Sequence, residues 1–473
     1  MRLELPRPRL PDARHDLLPA AGGLDADHID PGQPRIMLLT SGLGLGHVRA
    51  AQAIEAALGE QAHVRTLDLW SLMNAGVART VHATYLSLVQ NHPELYERLY
   101  HLDERTWGQI LQSESGPPPQ VLEVLQLISE IALSVSSNGR PRGGRYASDK
   151  MLLSLLCAAL PYDGDSLAGN GARARLALMK WAWLRLMRRL DSGIRRFSPE
   201  VIISTQMVPA AMASSLKERG KVSAPLIGVM TDFGVHDFWR QRGVDRYCVA
   251  HDSIVGSVRC GRAQAGAVAT GVPLMPDFSC PLSQAEARRK LALPLDVPVV
   301  LILGGGLGLS VETAAATLLA RRTGVHLVVM PGRNASARTA LASMERAHDG
   351  RLKVCDWTDR MDIFLRACDL VVGKPGGISV AEALACGRPL LATRSLGGQE
   401  GFNVNFLERN DVGGLVADSE LLQRVDALLR AQPVLHDMQR RAWLLGRRDG
   451  ATRIAELALD LCSARQALAL RSR

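Results

Sequence analysis

The sequence lacks three patterns that would assign it to a broad class of protein. No apolar run reaches the roughly 18 to 20 residues of a transmembrane helix, so we expect no membrane-spanning segment. The eight cysteines are scattered and form no Cys-x-x-Cys pair, which favours reduced thiols in the cytosol over a disulfide framework or a zinc site. Residues 1–14 contain prolines and arginines but no apolar stretch, and we therefore expect no secretory signal.

Two nucleotide-binding motifs are also missing. The P-loop pattern Gly-x-x-x-x-Gly-Lys-Ser/Thr is absent, since Pro375 follows the Gly-Lys pair at 373–374. The loop 42–46 has the spacing Gly-x-Gly-x-Gly instead of the dinucleotide fingerprint Gly-x-Gly-x-x-Gly, although Asp68 stands where a ribose-binding acid is expected. An NAD-dependent dehydrogenase is therefore the weakest of the interpretations considered below.

Length and charge limit the function less sharply. A chain of 473 residues is too long for one ordinary hydrophobic core, which predicts two or three domains. The net charge of +9 comes largely from arginine and is compatible with nucleic acid, anionic membranes or phosphate-bearing ligands. Charge alone does not choose among these partners.

Apolar strand-like segments alternate with helical segments, and the pattern starts again near residue 298. Fully apolar strands are typical of parallel sheets covered on both faces, so we predict an α/β fold with two Rossmann-like, doubly wound domains facing a cleft. The predicted strands lie at 35–41, 63–70, 201–205, 225–231, 247–250, 268–270, 298–303, 325–330, 352–354, 370–372 and 389–393. The predicted division is a flexible leader at 1–34, a first domain at 35–273 with a partly mobile insertion at 113–171, a linker at 274–293, a second domain at 294–445 and a helical segment at 446–473 that crosses back to the first domain.

The segment 172–197 has two interpretations. Apolar residues recur there at helical spacing among eight arginine and lysine residues. A basic amphipathic helix with tryptophans is typical of a membrane interface. The same pattern fits a helix whose apolar stripe covers the sheet, and we favour this second interpretation because the segment directly precedes the predicted strand at 201–205.

The stretch 373–382 has the order strand, glycine turn and helix start. Gly376 and Gly377 lack the Cβ atoms that keep backbone N–H groups away from an anion, and the following helix start points unpaired N–H groups at the same place. We expect Ser379 to cap this helix and Glu382 to face the bound group, since a carboxylate suits a neutral diol such as ribose better than a phosphate. An ordinary turn that uses glycine only for its geometry is the alternative.

His47 follows the last glycine of the loop 42–46 at the start of a predicted helix. The helix dipole disfavours positive charge at this position, which favours a neutral imidazole. A neutral imidazole at the edge of the cleft accepts a proton from a substrate hydroxyl, so we predict that His47 is a general base. A histidine that only caps the helix is the alternative.

Short motif blocks occur in order along both predicted domains. They are Gly-x-Gly-His at 44–47, Thr-Asp-Phe-x-x-His-x-x-Trp at 231–239, Gly-Gly-Gly-x-Gly at 304–308, Lys-Pro-Gly-Gly-Ile-Ser at 374–379, Gly-Gln-Glu-x-x-Asn at 398–403 and further blocks at 244–250, 270–273 and 354–361. This series resembles the monogalactosyldiacylglycerol synthase and processive diacylglycerol glucosyltransferase group of glycosyltransferase family 28, which is related to the GlcNAc transferase of peptidoglycan synthesis. The resemblance extends from about Ile36 to Val416 without the insertion.

The resemblance implies a GT-B type fold in which the second domain holds a UDP-sugar donor, with neither a metal ion nor another cofactor. It implies that Asp232 and His236 are the less favoured candidates for the general base, after His47. The implied donor-binding residues are Glu382 at the ribose; Gly376, Gly377 and Ser379 at the diphosphate; Trp357, Thr358 and Met361 at the uracil; Gln399, Glu400 and Asn403 at the sugar and phosphate; Lys374 and Arg333 at the charge of the departing UDP; and Gly44, Gly46, Gly305 and Gly306 along the cleft.

The predicted activity is the inverting transfer of a hexose from UDP-glucose or UDP-galactose to diacylglycerol or a related lipid, which gives a β-glycosyl lipid. The predicted enzyme of glycolipid biosynthesis is cytoplasmic and contacts anionic lipid on the inner face of the cell membrane, without a nucleic-acid partner. Three alternatives are a polyprenyl-linked or soluble acceptor, a UDP-sugar epimerase on the same scaffold, and a non-catalytic nucleotide-sugar sensor.

Overall fold

A computed structural model describes residues 32–42, 44–72, 186–258, 266–308, 310–320, 324–348, 350–393 and 398–471. The predictions for most of the leader, for the insertion at 113–171 and for the beginning of the basic helix at 172–185 fall outside these residues. Among the described helices, none combines the length and the apolar content that crossing a bilayer requires.

The first domain is built on a six-stranded parallel sheet with the strand order β2-β1-β3-β4-β5-β6. Its strands are β1 (Arg35–Thr40), β2 (His63–Asp68), β3 (Val201–Ser204), β4 (Leu226–Val229), β5 (Arg246–Val249) and β6 (Gly266–Ala269). The second domain repeats the design with the order β12-β11-β10-β7-β8-β9. Its strands are β7 (Val299–Leu303), β8 (His326–Met330), β9 (Leu352–Val354), β10 (Leu370–Gly373), β11 (Leu390–Ala392) and β12 (Gly413–Leu415).

Helices cover both faces of each sheet. Alternate residues of β1 show this directly, because Met37 and Leu39 belong to one buried apolar cluster while Ile36 and Leu38 belong to another. The helices are α1 (Leu45–Leu58), α2 (described over 186–197), α3 (Met207–Glu218), α4 (Asp252–Val258), α5 (Gln284–Lys290), α6 (Val311–Leu319), α7 (Ala335–Ala347), α8 (Met361–Ala367), α9 (Gly377–Ala385), α10 (Gln399–Arg409), α11 (Leu421–Arg430), α12 (Gln432–Leu445) and α13 (Gly450–Arg471).

The apolar stripe of α2 faces the core. Leu190 and Ile194 are buried against residues of the first sheet, while Arg188, Arg195 and Arg196 are exposed. The sheet-covering interpretation of this segment is therefore correct for residues 186–197.

The last helix, α13, packs against the first domain. Ile454 and Ala458 share a buried cluster with Ile36 and Ile54 of the first sheet and α1. Arg453 anchors the same helix by donating to the carbonyl oxygen of Ala269 at the end of β6 (2.8 Å). The chain thus enters the second domain after β6 and returns to the first domain through α13.

Each sheet has one point at which its strand order reverses, between β1 and β3 in the first domain and between β7 and β10 in the second. In open α/β sheets the crevice at the carboxyl ends of the strands at such a point is the usual ligand site. The helix α1, which contains His47, follows β1, and the glycine loop after Gly373 follows β10. The two motifs singled out by the sequence therefore lie at the two reversal points.

Candidate functional site

His47 is held by the first sheet through its ring nitrogen Nδ1. The helix α1 begins at Leu45 with Gly44 as its N-cap, so His47 lies inside the first turn and is not the capping residue. His47 Nδ1 lies 2.9 Å from the carbonyl oxygen of Thr205, directly after β3, and 3.4 Å from Thr231 Oγ1, just beyond β4. A carbonyl oxygen only accepts hydrogen bonds, so Nδ1 carries the proton and Nε2 is the nitrogen able to accept one.

The charge state of His47 follows from its surroundings. Withdrawal from water lowers the pKa of His47 to about 4, and the hydrogen bond to Thr205 opposes this shift only in part. The imidazole is consequently neutral throughout the physiological range, as a general base must be before it acts.

The helix α9 begins at Gly377 without a side-chain cap, and its N-cap is Gly376. Ser379, which the sequence predicted to cap the helix, is instead its third residue. The first domain approaches this helix start closely, because a Cβ atom on Gly377 would lie 1.9 Å from the carbonyl oxygen of Thr231. Glycine at 377 is therefore required by the contact between the domains as well as by the turn.

A carboxylate of the first domain lies at the start of α9. Asp232 Oδ1 accepts a hydrogen bond from Asn403 Nδ2 (2.9 Å), and the backbone N–H of Gly377 also favours its charged form. Burial nevertheless raises the pKa of Asp232 to about 6, with the Asn403 bond opposing this shift and the charge of Glu400 adding to it. An acidic group thus occupies the helix N-terminus that the sequence assigned to a diphosphate.

Asn403 joins the two domains. It is fully buried, its Nδ2 also donates to the carbonyl oxygen of Pro375 (3.0 Å), and its Oδ1 accepts from the N–H of Phe233 (2.8 Å). Beside it, Lys374 and Glu400 form an ion pair with a separation of 2.5 Å. The predicted sugar- and phosphate-binding residues are thus engaged with protein partners, and their ligand roles stay predictions.

The ribose and uracil side of the predicted site is more open. Trp357 keeps 42% of its surface exposed, and the Arg333 guanidinium lies 5.3 Å from the centre of its ring. Thr358 and Met361 follow closely, with Thr358 Oγ1 accepting from the N–H of Arg360 (3.0 Å). An exposed aromatic face beside a cation is suited to a planar base.

Glu382 lies in the C-terminal half of α9 and is partly buried. Burial raises the pKa of Glu382 to about 7, while the positive charge of Arg49 lowers it and the negative charge of Asp362 raises it further. Arg49 belongs to the first domain and was not among the predicted site residues. The only signal for it in the sequence is its position two residues after His47.

The glycine loops of the two domains face each other. A Cβ atom on Gly306 would lie 2.5 Å from Leu45 Cδ1, and one on Gly46 would lie 3.3 Å from Ile378 Cγ1. Gly305 adopts a φ of 61°, in the left-handed region that glycine favours. The structure therefore brings the predicted glycines of both domains together at one cleft.

His236 and Gln399 have different positions. His236 is buried and its Nδ1 accepts from the N–H of Phe238 (3.1 Å), which makes it the N-cap of the short helix Asp237–Trp239. The structure thus shows a capping role for His236 Nδ1, and its role as the less favoured candidate for the general base stays a prediction. Gln399 is the first residue of α10. Within the described ranges, no three His, Cys, Asp or Glu side chains are grouped so that they could hold a metal ion.

Comparison with solved structures identifies the class of fold. MurG from Acinetobacter baumannii matches with a TM-score of 0.53 and 13% identity, covering 90% of this chain and 99% of that chain. The S. aureus MnaA–UDP co-structure matches with a TM-score of 0.51 and 13% identity, covering 91% of this chain and 98% of that chain. These likenesses show the fold, and the predicted α/β architecture of GT-B type is confirmed.

Sequence comparison narrows the relationship. Residues 171–274 match the family model of monogalactosyldiacylglycerol (MGDG) synthase. A processive diacylglycerol beta-glucosyltransferase from Bacillus pumilus is 30% identical over 258 residues, which are 53% of this chain and 66% of that relative. The match thus spans just under two thirds of the relative's length. The predicted relationship to the monogalactosyldiacylglycerol synthase and processive diacylglycerol glucosyltransferase group is confirmed.

Proposed function

We propose that this protein is an inverting glycosyltransferase that moves a hexose from UDP-glucose or UDP-galactose to diacylglycerol or a related membrane lipid. The observation that carries the proposal is the state of His47. It is a neutral imidazole with Nδ1 committed to Thr205, and its helix begins at the reversal point that faces the glycine loop of the second domain. The substrate class is taken from the relative described above, whose name is processive diacylglycerol beta-glucosyltransferase.

The second domain provides the groups that a UDP-sugar requires. Backbone N–H groups at the start of α9 bind the diphosphate, and Glu382 accepts hydrogen bonds from the ribose hydroxyls. Trp357 stacks on the uracil, with Arg333 on its ring. For the diphosphate to bind, Asp232 must leave the N-terminus of α9, so donor binding requires the two domains to separate slightly or Asp232 to change rotamer.

The chemical step is a single displacement. The acceptor oxygen forms a bond to the anomeric carbon from the side opposite UDP, the bond to the β-phosphate oxygen breaks, and UDP departs with the electron pair. His47 Nε2 takes the proton of the attacking hydroxyl. Because burial makes His47 a weak base, proton transfer runs late, when the oxygen has already become acidic through bond formation. The helix N-terminus and Lys374 offset the charge on the departing diphosphate.

No metal ion and no other cofactor take part in this scheme. Because the proposed acceptor is a lipid, the enzyme works at the surface of a membrane. We propose that it is cytoplasmic and in peripheral contact with the inner face of the cell membrane. The arginine excess that gives the chain its net charge of +9 provides attraction to anionic lipid.

The test combines four UDP-sugars with two acceptor conditions. The full chain is incubated with UDP-glucose, UDP-galactose, UDP-GlcNAc or UDP-GlcA, with and without vesicles that contain diacylglycerol, and both released UDP and glycolipid are measured. The proposal expects UDP release with UDP-glucose or UDP-galactose that depends on diacylglycerol, together with a β-linked product. UDP release that is indifferent to the lipid would contradict the acceptor, and glycolipid with an α linkage would contradict the mechanism.

A further inference from the structure

Arg49 is a charged residue of the first domain that the mechanism above does not use. It lies on α1, two residues after His47, and its side chain reaches the second domain. Arg49 Nη1 lies 2.9 Å from Asp359 Oδ1, and Nη2 lies 3.4 Å from the backbone oxygen of the same residue. Asp359 comes directly after Trp357 and Thr358, so this contact joins α1 to the segment predicted to bind the base.

The second link runs from Arg49 to Glu382. The helices α1 and α9 pack against each other, and the Arg49 charge favours the ionised form of the Glu382 carboxyl. The other titratable groups that face Glu382 are Asp362 on α8, which disfavours its ionisation, and the Cys386 thiol on α9. The positive charge of Arg49 therefore opposes the rise in pKa that burial causes at Glu382, the predicted ribose-binding carboxylate.

We propose that Arg49 completes the nucleotide site of the second domain from the first domain, and thereby links nucleotide binding to closure of the cleft. This inference rests on the proposed function, because it takes the nucleoside diphosphate UDP as the ligand. Arg49 acts through Glu382 and Asp359 and is a positioning residue. Since His47 lies on the same helix turn, the contact that Arg49 makes across the cleft also holds the general base against the donor half of the site.

The interactions of Arg49 with Asp359 and with Glu382 differ in electrostatic strength. The Asp359 side chain is 79% exposed, so water and salt screen its ion pair with Arg49. Glu382 is enclosed by both domains, and a charge acts more strongly there because the surroundings screen it less. Loss of Arg49 should therefore weaken nucleotide binding much more than loss of the Asp359 carboxylate.

The pH dependence distinguishes this role from a purely structural one. Without Arg49 the pKa of Glu382 rises from its value of about 7. A larger share of the carboxyl is then protonated near neutrality, and a protonated carboxyl accepts hydrogen bonds from ribose hydroxyls less well. At pH 8.5 the carboxyl of the wild type is largely ionised, and a larger share of the carboxyl is ionised in a variant without Arg49 than at pH 6.5. The deficit of a variant without Arg49 should therefore shrink as the pH rises.

The experiment is titration calorimetry of the full chain with UDP at pH 6.5 and pH 8.5. We expect Arg49→Gln to weaken UDP binding about fivefold at pH 6.5 and about twofold at pH 8.5, Arg49→Lys to recover most of the loss, and Asp359→Asn to weaken it less than about twofold. The matched control is Arg219→Gln, which removes the same charge from an exposed position at the end of α3 and should bind UDP like the wild type. Circular dichroism verifies that each variant is folded.

The outcomes separate this inference from the proposed function. Wild-type binding of UDP together with unchanged binding by Arg49→Gln would overturn the inference alone. An equal loss at both pH values would also overturn it, because Arg49 would then not act through the ionisation of Glu382. If the wild-type chain does not bind UDP under either condition, the proposed function fails and the inference fails with it.

Discussion

The two points at which the strand order reverses have the same sheet topology, but the residues around them differ in chemistry. The crevice of the first domain contains polar side chains fixed by the backbone, with His47 bonded to Thr205 and Asp232 bonded across to the other domain. The crevice of the second domain consists largely of glycine, of backbone N–H groups at the start of α9 and of an exposed tryptophan. A fixed imidazole is suited to moving a proton. Backbone N–H groups at a helix start and an exposed aromatic face are suited to holding a nucleotide once Asp232 has left the start of α9.

This difference fits a transfer reaction in which one domain binds the donor and the other positions the base. A donor with a diphosphate and a planar base needs surfaces that approach its backbone closely, and glycine provides them. An acceptor hydroxyl needs one well-oriented base, and His47, held through Nδ1, is the base that we propose. Variants in each crevice should therefore fail in different ways, one in turnover and the other in binding.

The largest effect should come from His47→Ala. Loss of a general base lowers turnover by about a hundredfold to ten-thousandfold, while UDP binding should stay within about twofold of the wild type because the base belongs to the other crevice. Turnover and UDP affinity are measured on the same preparation. The matched control is His436→Ala, an exposed histidine on α12. Turnover within a few-fold of wild type in the folded His47 variant would refute the base assignment.

The next effect should come from Gly377→Ala. A methyl group there would meet the carbonyl oxygen of Thr231 at 1.9 Å, so the two domains must separate. We expect a larger radius of gyration in small-angle X-ray scattering and a loss of turnover of about tenfold to a hundredfold, since misplacement of reacting groups by about 1 Å can cost about a hundredfold. Gly401→Ala is the control, because a methyl group on Gly401 has no neighbour within 4 Å. An unchanged radius and unchanged turnover in the Gly377 variant would argue against this closed arrangement.

Some features of the fold could be predicted from the sequence and others could not. The strands of both sheets were predictable because their runs are short, apolar and bounded by turn residues. The strand β12 was missed because glycine is depleted in strands, and two of its three residues are Gly413 and Gly414. These glycines pair with β11, and glycine is needed at 413 because a Cβ there would lie 1.9 Å from the carbonyl oxygen of Leu390.

Contacts between the domains were not predictable. The hydrogen bond between Asp232 and Asn403 joins residues 171 positions apart, and the contact between Arg49 and Asp359 joins residues 310 positions apart. Neither leaves a periodic pattern in the chain. In addition, the local pattern did not distinguish a helix start at Gly377 from a cap at Ser379.

A smaller effect concerns the stability of the closed form, and Asp232→Asn tests it. The folded pKa of Asp232 is raised from 3.8 to about 6, so the folded chain binds more protons than the unfolded chain between these values and loses stability as the pH rises through them. Asparagine has no such penalty, and its Oδ1 can still accept from Asn403 and Gly377. The variant should therefore be more stable than the wild type by up to about 3 kcal/mol above pH 6, with a difference that fades toward pH 4.

Chemical denaturation at pH 4.5 and pH 8 measures this difference. The control is Asp237→Asn, since Asp237 is an exposed acid of the same loop whose carboxyl pairs with Arg240. A stability gain for Asp232→Asn that is equal at both pH values, or a loss at pH 8, would show that the buried charge is not the cause.

The smallest effect should come from Trp357→Leu in the second crevice. Stacking of an aromatic ring on a base is worth about 1 kcal/mol, so UDP affinity should fall about threefold to tenfold while turnover at saturating donor changes little. Because Trp357 is 42% exposed, its loss should leave the thermal midpoint of unfolding nearly unchanged. Trp443→Leu is the control, as this tryptophan is 47% exposed but stacks on Arg448 near the end of α12. A fall in turnover at saturating UDP-sugar without any change in UDP affinity would place Trp357 in the acceptor half of the site and break the division between the two crevices.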